Sequence, residues 1–146
     1  MSKENQVLVF SLGGQYWGLN ILDVREVVKV KNYTQVPGAQ DYILGVFNLR
    51  GQIVPLLDIS AFLNTSRKNE LREAVIIALD NELIGIAVED VIGVYRVDES
   101  EITPPPNEVG DHVIGIINVE NKMINIIDLK KIVNKVSGES VFSTFS

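Results

Sequence analysis

Short apolar runs and apolar–polar alternation, broken by glycine, asparagine and proline, dominate the chain, which is the pattern of many short strands. Val7-Leu8-Val9-Phe10-Ser11-Leu12 stops at the turn pair Gly13-Gly14, and Tyr16-Trp17-Gly18-Leu19 resumes extended chain, predicting a first hairpin. Ile21, Val24 and Val28 are spaced for one helical turn, with Val28-Lys29-Val30 as a strand after it. Val36-Pro37-Gly38 reads as a turn. Gly45-Val46-Phe47-Asn48-Leu49 and Gln52-Ile53-Val54-Pro55-Leu56-Leu57 flank Arg50-Gly51, a second predicted hairpin whose glycine supplies positive φ. Ile59-Ser60-Ala61-Phe62-Leu63 is a short helix at most, and the polar residues 64–72 read as a linker.

After that linker the same order of elements begins again. Residues 74–79 and 83–88 predict strands around Asp80-Asn81, and residues 89–97 resemble 23–30. Pro104-Pro105-Pro106 excludes helix or central strand, because the ring nitrogens donate no hydrogen bond. Residues 115–119 and 122–127 then flank Glu120-Asn121. Leu129, Ile132, Val133 and Val136 share one helical face, predicting a C-terminal helix, and residues 137–146 are expected to form a mobile tail. Gly18, Val24, Val27 and Val30 recur 67 positions later as Gly85, Val91, Val94 and Val97. Gly45, Asn48 and Asp58 recur 70 positions later as Gly115, Asn118 and Asp128, so the second copy carries a three-residue insertion, assigned to the proline run. A unit of about 60 residues buries little by itself. Two similar β-barrels packed together, with a groove between them, are the architecture this predicts, in lobes of about 7–66 and 73–136 whose strands are free to cross.

Composition narrows the function. Apolar residues form 46% of the chain, enough for a core without cross-links. There is no cysteine and one histidine, which excludes disulfides, thiol nucleophiles and a multi-histidine metal site within one chain. A net charge of −6 opposes non-specific binding to nucleic acid or an anionic membrane. The apolar run at residues 7–10 is too short for a signal peptide and none is long enough to span a bilayer, so a cytoplasmic location is expected.

No nucleophile elbow, phosphate-binding loop or zinc-protease motif occurs. His112 has no nucleophile near it in sequence and reads as a loop or surface residue. Asp58 and Asp128 stand where a strand gives way to a helix, so they read as caps rather than as paired catalytic carboxylates. Asn48 and Asn118, matched in the repeat, read as structural hydrogen-bonding residues. No catalytic residue, cofactor or metal is expected. Arg50-Gly51 in the first copy becomes Glu120-Asn121 in the second, so the turn alone does not require Arg50. It is either a solvated turn residue or a forked contact to a partner's oxygens. Val24, Val27, Val91 and Val94 are either core or the lining of a groove that takes a partner's apolar helix.

The stretch Gly45-Val46-Phe47-Asn48-Leu49-Arg50-Gly51-Gln52-Ile53-Val54-Pro55-Leu56-Leu57-Asp58 resembles the signature of the CheW family of chemotaxis coupling proteins. Tyr16-Trp17-Gly18-Leu19-Asn20-Ile21, Val24-Arg25-Glu26-Val27 and Ile84-Gly85-Ile86-Ala87-Val88-Glu89-Asp90-Val91 are similar to other parts of that family, so the likeness covers about residues 7–136. The resemblance implies a single, mainly β domain of two intertwined SH3-like five-stranded β-barrels, without enzymatic activity. It implies an adaptor that couples the cytoplasmic tips of methyl-accepting chemoreceptors to the histidine kinase CheA, in arrays beneath the inner membrane. Carried over by motif position, Val24, Glu26, Val27, Val91 and Val94 would face the receptor, and Gly45 and Arg50 would take part in coupling. The CheA regulatory domain would meet the barrel ends, at residues the sequence does not identify. A CheA regulatory-domain fragment or the coupling half of a CheV protein is the close alternative; the initial Met and the tail favour a free-standing adaptor. A coupling protein of another receptor–kinase system, such as one for surface motility, is also open. A small enzyme using the groove, with Asp58 or Asp128 as acid or base, is the alternative of a different class.

Overall fold

The structure is a computed structural model and describes residues 4–107, 110 and 112–136; the expected mobile tail at 137–146 lies outside them. The described residues form ten strands with three short 3-10 turns among them. The strands are β1 (Glu4–Leu12), β2 (Gln15–Asn20), β3 (Val24–Lys29), β4 (Ile43–Leu49), β5 (Gln52–Leu57), β6 (Glu73–Leu79), β7 (Glu82–Val88), β8 (Asp90–Asp98), β9 (Val113–Val119) and β10 (Lys122–Ile127). Helix α1 (Leu129–Val136) follows. The helical turn expected from the spacing of Ile21, Val24 and Val28 covers only Ile21–Asp23, capped by Asn20, and Val24 already belongs to a strand.

Hairpin chemistry accounts for the local pairings. The turns at Gly13-Gly14, Arg50-Gly51, Asp80-Asn81 and Glu120-Asn121 all have positive φ at both central residues. Such turns match the twist of the strands they join. Asn48 strengthens one of them by accepting from the Gly51 N–H at 2.8 Å. Asp128 accepts from the Lys130 N–H at 3.0 Å and caps α1, whereas Asp58 accepts from the Ser60 N–H at 3.0 Å in a local turn, one residue ahead of the cap position held by Ile59.

The global pairing is not local. One sheet has the order β8-β1-β2-β10-β9, and the other β3-β6-β7-β5-β4. Each repeat therefore sends its first two strands to the sheet that holds the last three strands of the other. The exchange is made by two matched parallel pairings, β2 on β10 with Gly18 opposite Ile126, and β7 on β5 with Gly85 opposite Leu56. The sheets consequently do not coincide with the lobes 7–66 and 73–136. Neither ladder closes into a complete barrel. Instead each sheet curls and takes a two-bond bridge on one edge, Thr34 to Val46 and Thr103 to Ile116, every bond 2.8 Å.

Exchange lets the central strands bury both faces. Leu8, Phe10 and Leu12 of β1 and Val75 and Ile77 of β6 enter a central core between the sheets, joined by Trp17, Leu57, Ile84, Ile86, Leu129 and Ile132. The alternate residues Val7 and Val9 fill the interior of the first barrel, and Ala74 and Ile76 that of the second. Burial on both faces explains why these strands are near-continuous apolar runs in sequence. His112 is buried in the turn before β9 rather than placed at the surface, and its carbonyl accepts from the Asp128 N–H at 2.9 Å.

Candidate partner-docking face

β3 and β8 are matched edge strands, one on each sheet. Both carry a bulge at the same repeat position, Arg25 in β3 and Ile92 in β8. The extra residue turns Val24 and Val27 to one face, where strict alternation would separate them. It does the same for Val91 and Val94. Val24, Val27 and Val91 are half-buried against the central core, and Val94 is 49% exposed. The valines are therefore core margin and surface at once, along the two edges of the seam between the sheets. The seam is held by Glu73 of β6, opposite Lys29 in the ladder, which accepts from the Val91 N–H at 2.9 Å.

The bulge also aims Glu26 away from the central core. Its carboxylate receives both terminal nitrogens of Arg50, one at 2.9 Å from Nη1 and the other from Nη2. Arg50 stands in the β4–β5 turn, so this forked pair joins the two edges of an open sheet across its mouth. The Arg50 hydrogen bond holds the Glu26 carboxyl below its ordinary value of 4.5, and Arg50 is raised in return. A lowered carboxyl pKa means that the pairing is complete above the unfolded value and is lost as pH falls through the folded one. In a carboxyl-detected NMR titration Glu26 should deprotonate below 4.5 and return toward it in Arg50→Ala. High salt should shrink the difference, because the pair is open to solvent.

Gly45 lies apart from the valines. It is buried at a bulge in β4, where an added Cβ would stand 2.4 Å from the Thr34 carbonyl oxygen. Its counterpart Gly115 lies under Ile102, the residue before the other bridge. The structure thus brings together Glu26 with Arg50, and Val24, Val27 and Val91 on one core, and gives Gly45 a packing reason of its own. Sequence reading missed Glu89, which is 1% exposed at the junction of β7 and β8. Its carboxylate accepts from the N–H groups of Lys68 at 2.6 Å and Asn69 at 2.9 Å. Burial pushes its pKa up, but these bonds and one from the Gly13 backbone outweigh it and leave the group below the ordinary value. The acidic pair Glu89-Asp90 between two apolar runs was the available signal.

The CheW-like domain model matches residues 6–137. The chain belongs to the CheW family. The chemotaxis protein CheW of Bacillus subtilis is 32% identical over 141 residues, covering 92% of this chain and 90% of that protein. That of Thermotoga maritima is 26% identical, covering 92% and 91%. The crystal structure of the scaffolding protein TtCheW from Thermoanaerobacter tengcongensis superposes with a TM-score of 0.83 at 32% identity, covering 94% of this chain and 97% of that one. These CheW likenesses run through both repeats, so the strand exchange, the valine seam and the Glu26–Arg50 pair all lie inside the family domain. Among the described residues, no helix is long and apolar enough to cross a membrane and no acid–histidine group is arranged for a metal ion.

Proposed function

We propose that this chain is a non-enzymatic chemotaxis scaffold that joins methyl-accepting chemoreceptor tips to the histidine kinase CheA. The observation that carries the reading is the pairing of a valine-lined seam with a forked Glu26–Arg50 contact beside it, within a CheW-family fold. Val24, Val27, Val91 and Val94 offer apolar contact to a helical hairpin, while Glu26 and Arg50 give polar register. Gly45 acts from a distance, by keeping β4, which leads into the Arg50 turn, in its bridge with Thr34. The kinase regulatory domain meets the barrel ends, where Ile53 and Met123 occupy matched rungs beside the two turns and are 61% and 60% exposed. Two equivalent apolar spots, one on each sheet, suit a protein that takes neighbours on two sides. The protein works in the cytoplasm at the inner-membrane arrays.

Arg50→Glu tests the assignment. The substitution sets a carboxylate against Glu26 but leaves the turn φ acceptable, since Glu120 adopts φ 51 at the same repeat position. The melting midpoint should stay close to that of the parent chain. Binding of a receptor-tip fragment or of the CheA regulatory domain, followed by calorimetry, should weaken by roughly tenfold or more. Unchanged binding of both would remove Arg50 from the docking face.

A further inference from the structure

The two barrels fill the gap between their edge strands differently. In the first sheet Tyr95 of β8 packs into the barrel interior, and its hydroxyl donates to Glu120 in the β9–β10 turn at 3.4 Å. One ring thus spans from an edge strand to the hairpin at the opposite edge. The residue 67 positions before Tyr95 is Val28, on β3, and Arg50 holds the place of Glu120. Val28 is too short to make the same span. A groove of about 370 Å³ remains open there, lined by Val28, Val30, Phe47 and Leu49 and flanked by Lys29 and Lys31. β3 and β4 are the outer strands of their sheet and do not pair with each other.

Charge selects the occupant. The molecule carries a net −6, yet both charged groups lining this groove are exposed lysines. Glu26, on the same strand, is already held by Arg50. A cationic rim around an apolar floor in an acidic protein attracts an anionic segment that carries a large apolar side chain. We infer that this groove receives an aromatic side chain from an extended acidic segment of a partner protein, the ring taking the place that Tyr95 takes in the other barrel. The inference stands apart from the receptor and kinase assignments, because it rests on the difference between the two barrels.

The test uses the full chain, labelled with nitrogen-15, and a synthetic peptide with one tyrosine between two aspartate–glutamate pairs. Saturable shifts are expected at the amides of residues 28–31 and 47–49. Replacing the peptide tyrosine by alanine, or Lys29→Glu in the protein, should weaken binding by roughly tenfold or more. Val28→Tyr supplies the ring from within, so that variant should melt at or above the parent midpoint and give no shifts with the peptide. Four results overturn the inference: no shifts at millimolar peptide, shifts centred elsewhere, equal binding by the alanine peptide, or Val28→Tyr melting far below the parent. Concentration-dependent shifts at these amides without peptide would place a second copy of the chain in the groove and overturn it equally.

Discussion

Glu89→Ala should lower stability by about 2–6 kcal/mol, since each of two N–H groups left without its partner costs about 1–3 kcal/mol. The substitution removes the acceptor for the N–H groups of Lys68 and Asn69 and releases the Gly13 turn as well. These groups tie residues 64–72, which connect the repeats, to the first hairpin. Thr65 adds a weaker tie, its hydroxyl donating to the Gly13 carbonyl at 3.2 Å. Glu89→Gln keeps one carbonyl oxygen able to accept both N–H groups, so its loss should be about 1 kcal/mol, mostly the charge assistance. The pKa of Glu89 is lowered by folding, so its contribution is complete above the ordinary value of 4.5 and fades as pH falls through the folded value. Urea unfolding at neutral and acid pH checks both points. Parent and Gln variant should converge as pH drops, and a Gln variant with parental stability at neutral pH would show that the charge contributes nothing.

Gly45→Val should lower stability by about 2–5 kcal/mol, the sum of overpacking at about 1–3 kcal/mol and two strained hydrogen bonds. The new Cβ would meet the Thr34 carbonyl oxygen at 2.4 Å and its carbon at 2.9 Å, both backbone atoms. Relief requires the Thr34–Val46 bridge to open, and that bridge supplies two bonds of 2.8 Å on the β4 edge. Amides at 34 and 46 should lose protection from hydrogen exchange before the rest of the sheet does. Partner binding should fall in step with the fraction folded. If binding vanished while the melting midpoint held, Gly45 would be a contact rather than a support.

Local features were legible because they depend on neighbours in sequence. Positive φ at Arg50-Gly51 and Glu120-Asn121 follows from turn chemistry, and the capping role of Asp128 follows from its place between strand and helix, while Asp58 bonds the same way one residue before the cap position. The repeat was legible from ordered glycines, asparagines and aspartates. Sheet membership was not, because β2 pairs with β10 and β7 with β5 across the repeats, and alternation within a strand does not name its neighbour. The common orientation of Val24 with Val27 depends on a bulge that leaves no mark in the sequence. Glu26 and Arg50 are 24 residues apart, and only the curl of the sheet brings them into contact. Burial of Glu89 was not legible, because the N–H groups that meet its carboxylate belong to residues 68 and 69 of the linker, about 20 positions away in sequence. Burial of His112 is likewise a tertiary event, since the strand end at Asp128 that bonds its carbonyl lies 16 residues on.

A scaffold must hold both partners at once, one on each face. Calorimetry should be run with the full chain first saturated by a receptor-tip fragment and then titrated with the CheA regulatory domain, and in the reverse order. The scaffold account predicts one saturable site for the second partner in either order, and a complex of all three components in sedimentation. Mutual exclusion of the two partners, or no binding of either at high micromolar concentration, would contradict it.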